Sequence, residues 1–173
     1  ISEFPGSQSD IEIIASEIPR NMNPQPNTGE LNSVVQGNNL FALDCFHAIR
    51  GQDGNFFFSP VSISFAFAMC YAGANGNTET EIASTMHFSL AGESLHNAFN
   101  ALELTLTTTK PMYPRWDTGQ EMELHMANST WGQKGYYFVP AFLDILSLHY
   151  GAGMNVVDFL TNLPNVYTSD SLR

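Results

Sequence analysis

The chain has 173 residues, 43% of them apolar, so a soluble globular unit with a buried core is within its reach. Seventeen acidic residues against six basic ones give a formal charge of −11, and Lys110 and Lys134 are the only lysines. That balance excludes nucleic acid as a partner, because phosphates are held by Lys and Arg, and it equally disfavours an anionic membrane surface and polyanions such as heparin.

Ile1 to Pro5 has neither the basic start nor the apolar run of a signal peptide. Ile1-Ser2-Glu3-Phe4, without an initiating Met, reads as a cloning remnant or as the sequel to a segment missing upstream. Residues 1–36 are rich in Asn, Pro, Ser and Gln, with prolines at 5, 19, 24 and 26, and read as a polar N-terminal tail or tag remnant. Their apolar island, Ile11, Ile13, Ile14 and Ile18, is a candidate for docking as a short strand or helix turn, with disorder as the alternative.

A helical pattern begins at Asn38 or Asn39, either of which can cap, with Phe41, Cys45 and Ile49 recurring every fourth residue. It should stop near Gly51. Asn55-Phe56-Phe57-Phe58 is strand-like. Ser59 then suits an N-cap and Pro60 the first helical position, where a missing N–H costs nothing. This helix is expected to run to Ala72, with Gly73 as a left-handed stop. It is apolar on every side, which predicts a central place in the fold. The uncharged run from Phe56 to Ala74 is about as long as a membrane span requires, but its serines, Ser59-Pro60 and the lack of flanking basic or aromatic belts favour a buried helix. Cys45 and Cys70 both fall in these apolar patterns and are expected to be buried free thiols rather than a disulfide.

Thr78 to Glu81 has capping-box spacing and predicts a short helix through Met86. Residues 93–107 form a further helix with Leu95, Phe99, Leu102 and Leu106 on one stripe. Lys110 to Gln120 reads as a loop. Alternation from Glu121 to Gln133 predicts a long strand, Pro140 opens a helix, and Asn155 to Phe159 is a second strand. The class is α+β.

Catalytic and cofactor motifs are missing. There is no dinucleotide or phosphate-loop glycine pattern and no Gly-x-Ser-x-Gly elbow, and the five histidines form no metal-ligand spacing. Neither catalysis, nor a metal, nor a cofactor is expected.

Three blocks are similar to the serpin family, in the family's own order. They are Phe41 to Ile49; Asn55-Phe56-Phe57-Phe58-Ser59-Pro60-Val61-Ser62-Ile63 with its continuation to Glu81-Ile82; and Ala127-Asn128-Ser129-Thr130-Trp131 through Tyr137 to Phe142, Tyr150-Gly151-Ala152 and Val157-Asp158-Phe159. The resemblance implies a serpin fold of three sheets and eight or nine helices, with residues 37–173 as its N-terminal part, supplying the first helices and two strands of the central sheet. It implies inhibition of a serine or cysteine protease, without enzymatic activity: a reactive loop is cleaved and inserted as a strand into that sheet. The loop and the other strands would belong to a C-terminal remainder, on this chain or a separate one. The resemblance also places Asn55, Ser59, Pro60 and Ser62 in the shutter region, beneath the point where the sheet opens. A non-inhibitory serpin (carrier, chaperone or storage protein) and a self-contained helical binding module are the alternatives. An extracellular or secreted location is expected. Heparin activation through the 93–107 helix is not, because that helix has no Lys or Arg.

Overall fold

The computed structural model describes residues 11–108 and 124–160. Its elements in chain order are β1 (Glu12–Ile14), α1 (Thr28–Ile49), α2 (Pro60–Gly73), α3 (Asn77–Thr85), α4 (Gly92–Thr108), β2 (Thr130–Gln133), α5 (Pro140–Ile145), a π-helical turn (Leu146–Tyr150) and β3 (Met154–Val157). The order of the sheet is β1-β3-β2. β2 and β3 run parallel, with Trp131 opposite Asn155, while β1 lies antiparallel on β3 with Ile13 opposite Asn155.

The core lies where α2 meets α4 and the π turn. Phe65, Ala68 and Met69 of α2 pack with Leu95, Ala98 and Phe99 of α4 and with Leu146 and Tyr150. Phe99 stands edge-on to both Phe65 and Phe88, with ring centroids 5.0 and 5.5 Å apart. This geometry sets the positive ring edge of one aromatic against the negative face of the next. A smaller cluster of Leu143, Met154 and Val156 joins α5 to the sheet. Gly132 in β2 is dictated by packing, since a Cβ there would lie 2.4 Å from the Phe138 ring.

Several expectations change. Helix α1 starts at Thr28, not at Asn38 or Asn39, because Asn27 and Glu30 form a reciprocal capping box: the Glu30 N–H donates to Asn27 Oδ1 at 3.0 Å and the Asn27 N–H to Glu30 Oε2 at 2.8 Å. The stretch read as a tail thus contains the first turns of α1, and its apolar island docks through the short strand β1 rather than standing free, the first of the two readings given for it. Thr78 caps nothing. α3 is entered through Gly76, at φ +62°, and has no side-chain cap. Gly73 ends α2 without a left-handed turn, Ala74 beyond it being extended. Residues 55–58 form no strand. The long strand shrinks to Thr130–Gln133, because only there does the chain meet β3; residues 124–129 are irregular and 121–123 lie outside the described residues, as does the loop expected at 110–120. β3 begins one residue earlier than expected and ends at Val157.

Both cysteines are free, as expected, but not buried: Cys45 is half-buried and Cys70 exposed. Cys70 shares the outer face of α2 with Phe67, which is 43% exposed. Helix α2 therefore buries one face among the described residues rather than its whole circumference. At 14 residues it is too short to cross a membrane, and no helix among the described residues is long and apolar enough to do so.

Candidate functional site

The N-terminus of α2 is where the sequence concentrates polar groups on an apolar helix. Ser59, extended at φ −111°, ψ 101°, caps the helix, and Pro60 follows at the first helical position. The Ser62 N–H donates to Ser59 Oγ at 3.4 Å, and the two hydroxyls lie 3.0 Å apart. Both serines are half-buried, so the pair is shielded yet not sealed. Asn55 stands apart. It is exposed, four residues upstream of the cap, and makes no hydrogen bond to either serine. The structure thus brings together Ser59, Pro60 and Ser62, and leaves Asn55 outside the group.

A deeper polar contact lies one turn along α2. Ser64 is fully buried, and its hydroxyl donates to Asn38 Oδ1 on α1 at 3.0 Å. Sequence reading missed this pair. A serine inside an all-apolar run needs a buried partner, but nothing local identifies a residue 26 positions upstream. Asn38 is mid-helix, bonded across to α2, not a cap.

A buried histidine cluster fixes the other side of the core. His96 on α4 shares a hydrogen bond with the Tyr150 hydroxyl, Nδ1 to Oη 2.7 Å, and its ring lies 5.9 Å from that of His149. Burial, and then the neighbouring His149, push the His96 pKa down to about 4. Burial likewise lowers His149, with Glu93 opposing, and raises Tyr150. The His149 Nδ1 has no hydrogen-bond partner. These groups are neutral at pH 7 and lie within packed helices, an arrangement that suits packing rather than proton transfer. Among the described residues no group of three or more His, Cys, Asp or Glu is placed to hold a metal ion.

At the sheet, β2 packs against α2 and, among the described residues, pairs on one side only, with β3. Below it a cleft of about 400 Å³ runs between the sheet and the helices, lined by Phe65, Met69, Met126 and Tyr150.

This arrangement of helices beneath a sheet is accompanied by clear sequence kinship. The family model described as Serpin (serine protease inhibitor) matches residues 36–166. The chain belongs to the serpin family. Curated serpin relatives include leukocyte elastase inhibitor A of Rattus norvegicus, 35% identical over 131 residues, and the leukocyte elastase inhibitors of Sus scrofa, 37% over 132 residues, and Homo sapiens, 35% over 131 residues. Each match takes in 75% of this chain and 32% of the relative, so the chain spans about a third of the length of these serpins. The α+β architecture, five α-helices and a small sheet among the described residues, is that of a partial serpin fold.

Proposed function

We propose that the intact polypeptide carrying this sequence inhibits a serine or cysteine protease by the serpin route. The observation that carries this reading is the match of residues 36–166 to the family, joined to relatives named for inhibiting an elastase. In that route the protease attacks a bait peptide bond and becomes acylated. The freed loop then enters the central sheet as a new strand, and the enzyme is distorted before water releases it. Strand insertion draws on strain held in a kinetically trapped fold. The reactive loop and the remaining strands would belong to the part of the serpin length that this chain does not span. β2, with its unpaired side among the described residues, suits a sheet that is completed there.

Within this scheme Ser59, Pro60 and Ser62 serve as the shutter. The Ser59–Ser62 contact is a pair of exchangeable hydrogen bonds, each worth ~1 kcal/mol net, at the start of a helix packed against β2. Directional bonds of this kind can be broken and remade as strands separate, whereas apolar contacts carry no such directionality.

The test is to incubate the intact polypeptide with elastase-like serine proteases and papain-like cysteine proteases and to follow both residual activity and mobility in denaturing gels. A denaturant-resistant one-to-one adduct with loss of protease activity is expected. Simple digestion by every protease, without an adduct, would refute the proposal.

A further inference from the structure

The segment before α1 lies upstream of the stretch that matches the serpin family, which begins at residue 36, so family membership does not account for its placement. It is nonetheless held at four points. β1 pairs with the outer edge of β3. The Ser16 hydroxyl donates to Asp144 of α5 at 2.5 Å, and Ser147 of the π turn donates to the Ser16 carbonyl at 3.4 Å. The Asn21 N–H donates to the Leu148 carbonyl at 2.8 Å. Arg20 donates to Glu103 at 2.8 Å and, through Nε and Nη2, to Asn100 Oδ1 at 3.1 and 2.8 Å.

The receiving surface is shaped for this segment. Asn100 is fully buried on α4, and both ends of its amide serve the segment: Oδ1 accepts from Arg20, and Nδ2 donates to the Asn21 carbonyl at 2.7 Å. A buried amide committed in this way loses its partners if the segment leaves. Two glycines provide the clearance. A Cβ on Gly153 would come within 3.0 Å of Ile13 Cγ2 and 3.1 Å of the Ile14 carbonyl, and one on Gly151 within 2.9 Å of Arg20 Cδ. Apolar anchoring is slight, since Ile14 packs against the Leu143, Met154 and Val156 cluster while Ile13 is 68% exposed. With little apolar area beneath it, the segment is held by a three-residue strand and a few polar bonds, so its specificity exceeds its apolar anchoring.

We infer that residues 11–23 are a releasable strap, and that their seat on β3, α4, α5 and the π turn is a groove for one extended peptide, which this chain fills with its own segment. Seated, the strap seals the β3 edge against other strands and ties the sheet to α4. Released, it bares a row of unpaired backbone groups of the kind that accept strand addition. Ile13 and Arg20 also line the cleft beneath the sheet, so release widens its mouth.

The test uses a fluorescein-labelled synthetic peptide of residues 11–23 and two forms of the protein, the intact polypeptide and a variant lacking residues 1–23. The peptide is expected to bind the shortened form one-to-one and the intact form at least tenfold more weakly. Arg20→Ala in the peptide, or Gly153→Val in the shortened protein, should each weaken binding at least tenfold. Equal binding to both forms, or a folded shortened form that ignores the peptide, overturns the inference. If the shortened form does not fold, hydrogen exchange on intact Arg20→Ala decides: exchange in β1 and β3 at least tenfold faster with α2 unchanged supports a strap, and unchanged exchange in β1 and β3 overturns it. None of these readouts depends on protease inhibition.

Discussion

Helix α4 takes part in two interfaces built on opposite principles. Through Phe99 it meets Phe65 and Phe88 in a dry aromatic cluster; through the adjacent Asn100 it holds the N-terminal strap with hydrogen bonds. The first gains its free energy from area removed from water and has no preferred partner beyond shape. The second gains little net energy per bond but specifies one backbone path. Neighbouring residues on one helix thus separate permanence from specificity.

The largest effect should come from breaking the aromatic side. Phe99 is 1% exposed, so Phe99→Ala leaves a cavity that the rings of Phe65 and Phe88 cannot fill. A loss of about 3–5 kcal/mol is expected, read as a lower urea midpoint for the intact polypeptide. A loss below about 1 kcal/mol would mean that this interface is not the core.

Acid should attack the same region through His96, buried beside Tyr150 and His149. His96 titrates at about 4 in the fold against an ordinary 6.5. Between those values the unfolded chain binds a proton that the folded chain refuses. Stability is therefore complete above pH 6.5 and falls as the pH drops toward 4, by on the order of 3 kcal/mol in all. About 2 kcal/mol of that falls between pH 6.5 and 5, above the range where carboxylates titrate. His96→Gln should flatten this slope by at least half, as followed by urea midpoints at pH 7 and 5; an unaltered slope would assign it to other groups.

The two interfaces also differ in how legible they were in the sequence. The stripe of Leu95, Phe99, Leu102 and Leu106 reads directly as a helix face, although Leu106 at its end is exposed, and Ser59-Pro60 marks the start of α2 to the residue, because periodicity and capping are local signals. The strap is legible only in part: its island of Ile11, Ile13 and Ile14 reads as a candidate docking strand, but nothing local names its partner. β1 has three residues and exists because β3 offers an edge, while the capping box at Asn27 and Glu30 is masked by the surrounding Pro- and Asn-rich stretch. Alternation from Glu121 onward promised a long strand, but strand formation follows the partner, and β3 reaches only Thr130 to Gln133. At the candidate site the cap of α2 was legible, whereas the Ser64–Asn38 bond and the His96–Tyr150 bond required the tertiary fold.

A smaller change tests whether polar contacts inside the core behave like those of the strap. Ser64→Ala removes a buried donor and leaves Asn38 Oδ1 without it. About 1–2 kcal/mol should be lost, more than for a surface hydrogen bond because water cannot readily replace the donor. Asn38→Ala should cost a similar amount, and the double variant less than the sum of the two. Strict additivity would show that the bond contributes nothing.

The smallest expected change in stability is at the cap of α2, and there the informative readout is not stability. Ser59→Ala together with Ser62→Ala removes the N-cap and its partner hydroxyl, which should cost ~1 kcal/mol. Pro60 remains to hold the first helical turn, so the helix should survive and circular dichroism should stay unchanged. If the serines do nothing more than cap, the double variant should behave like any other mildly destabilised protein on warming. If they also restrain the sheet, the intact polypeptide should polymerise or become inactive at temperatures where Ser64→Ala, with an equal or larger cost, does not. Matching the two variants by urea midpoint and comparing polymer formation by size-exclusion chromatography separates these cases, because stability is then held constant and only position along α2 differs.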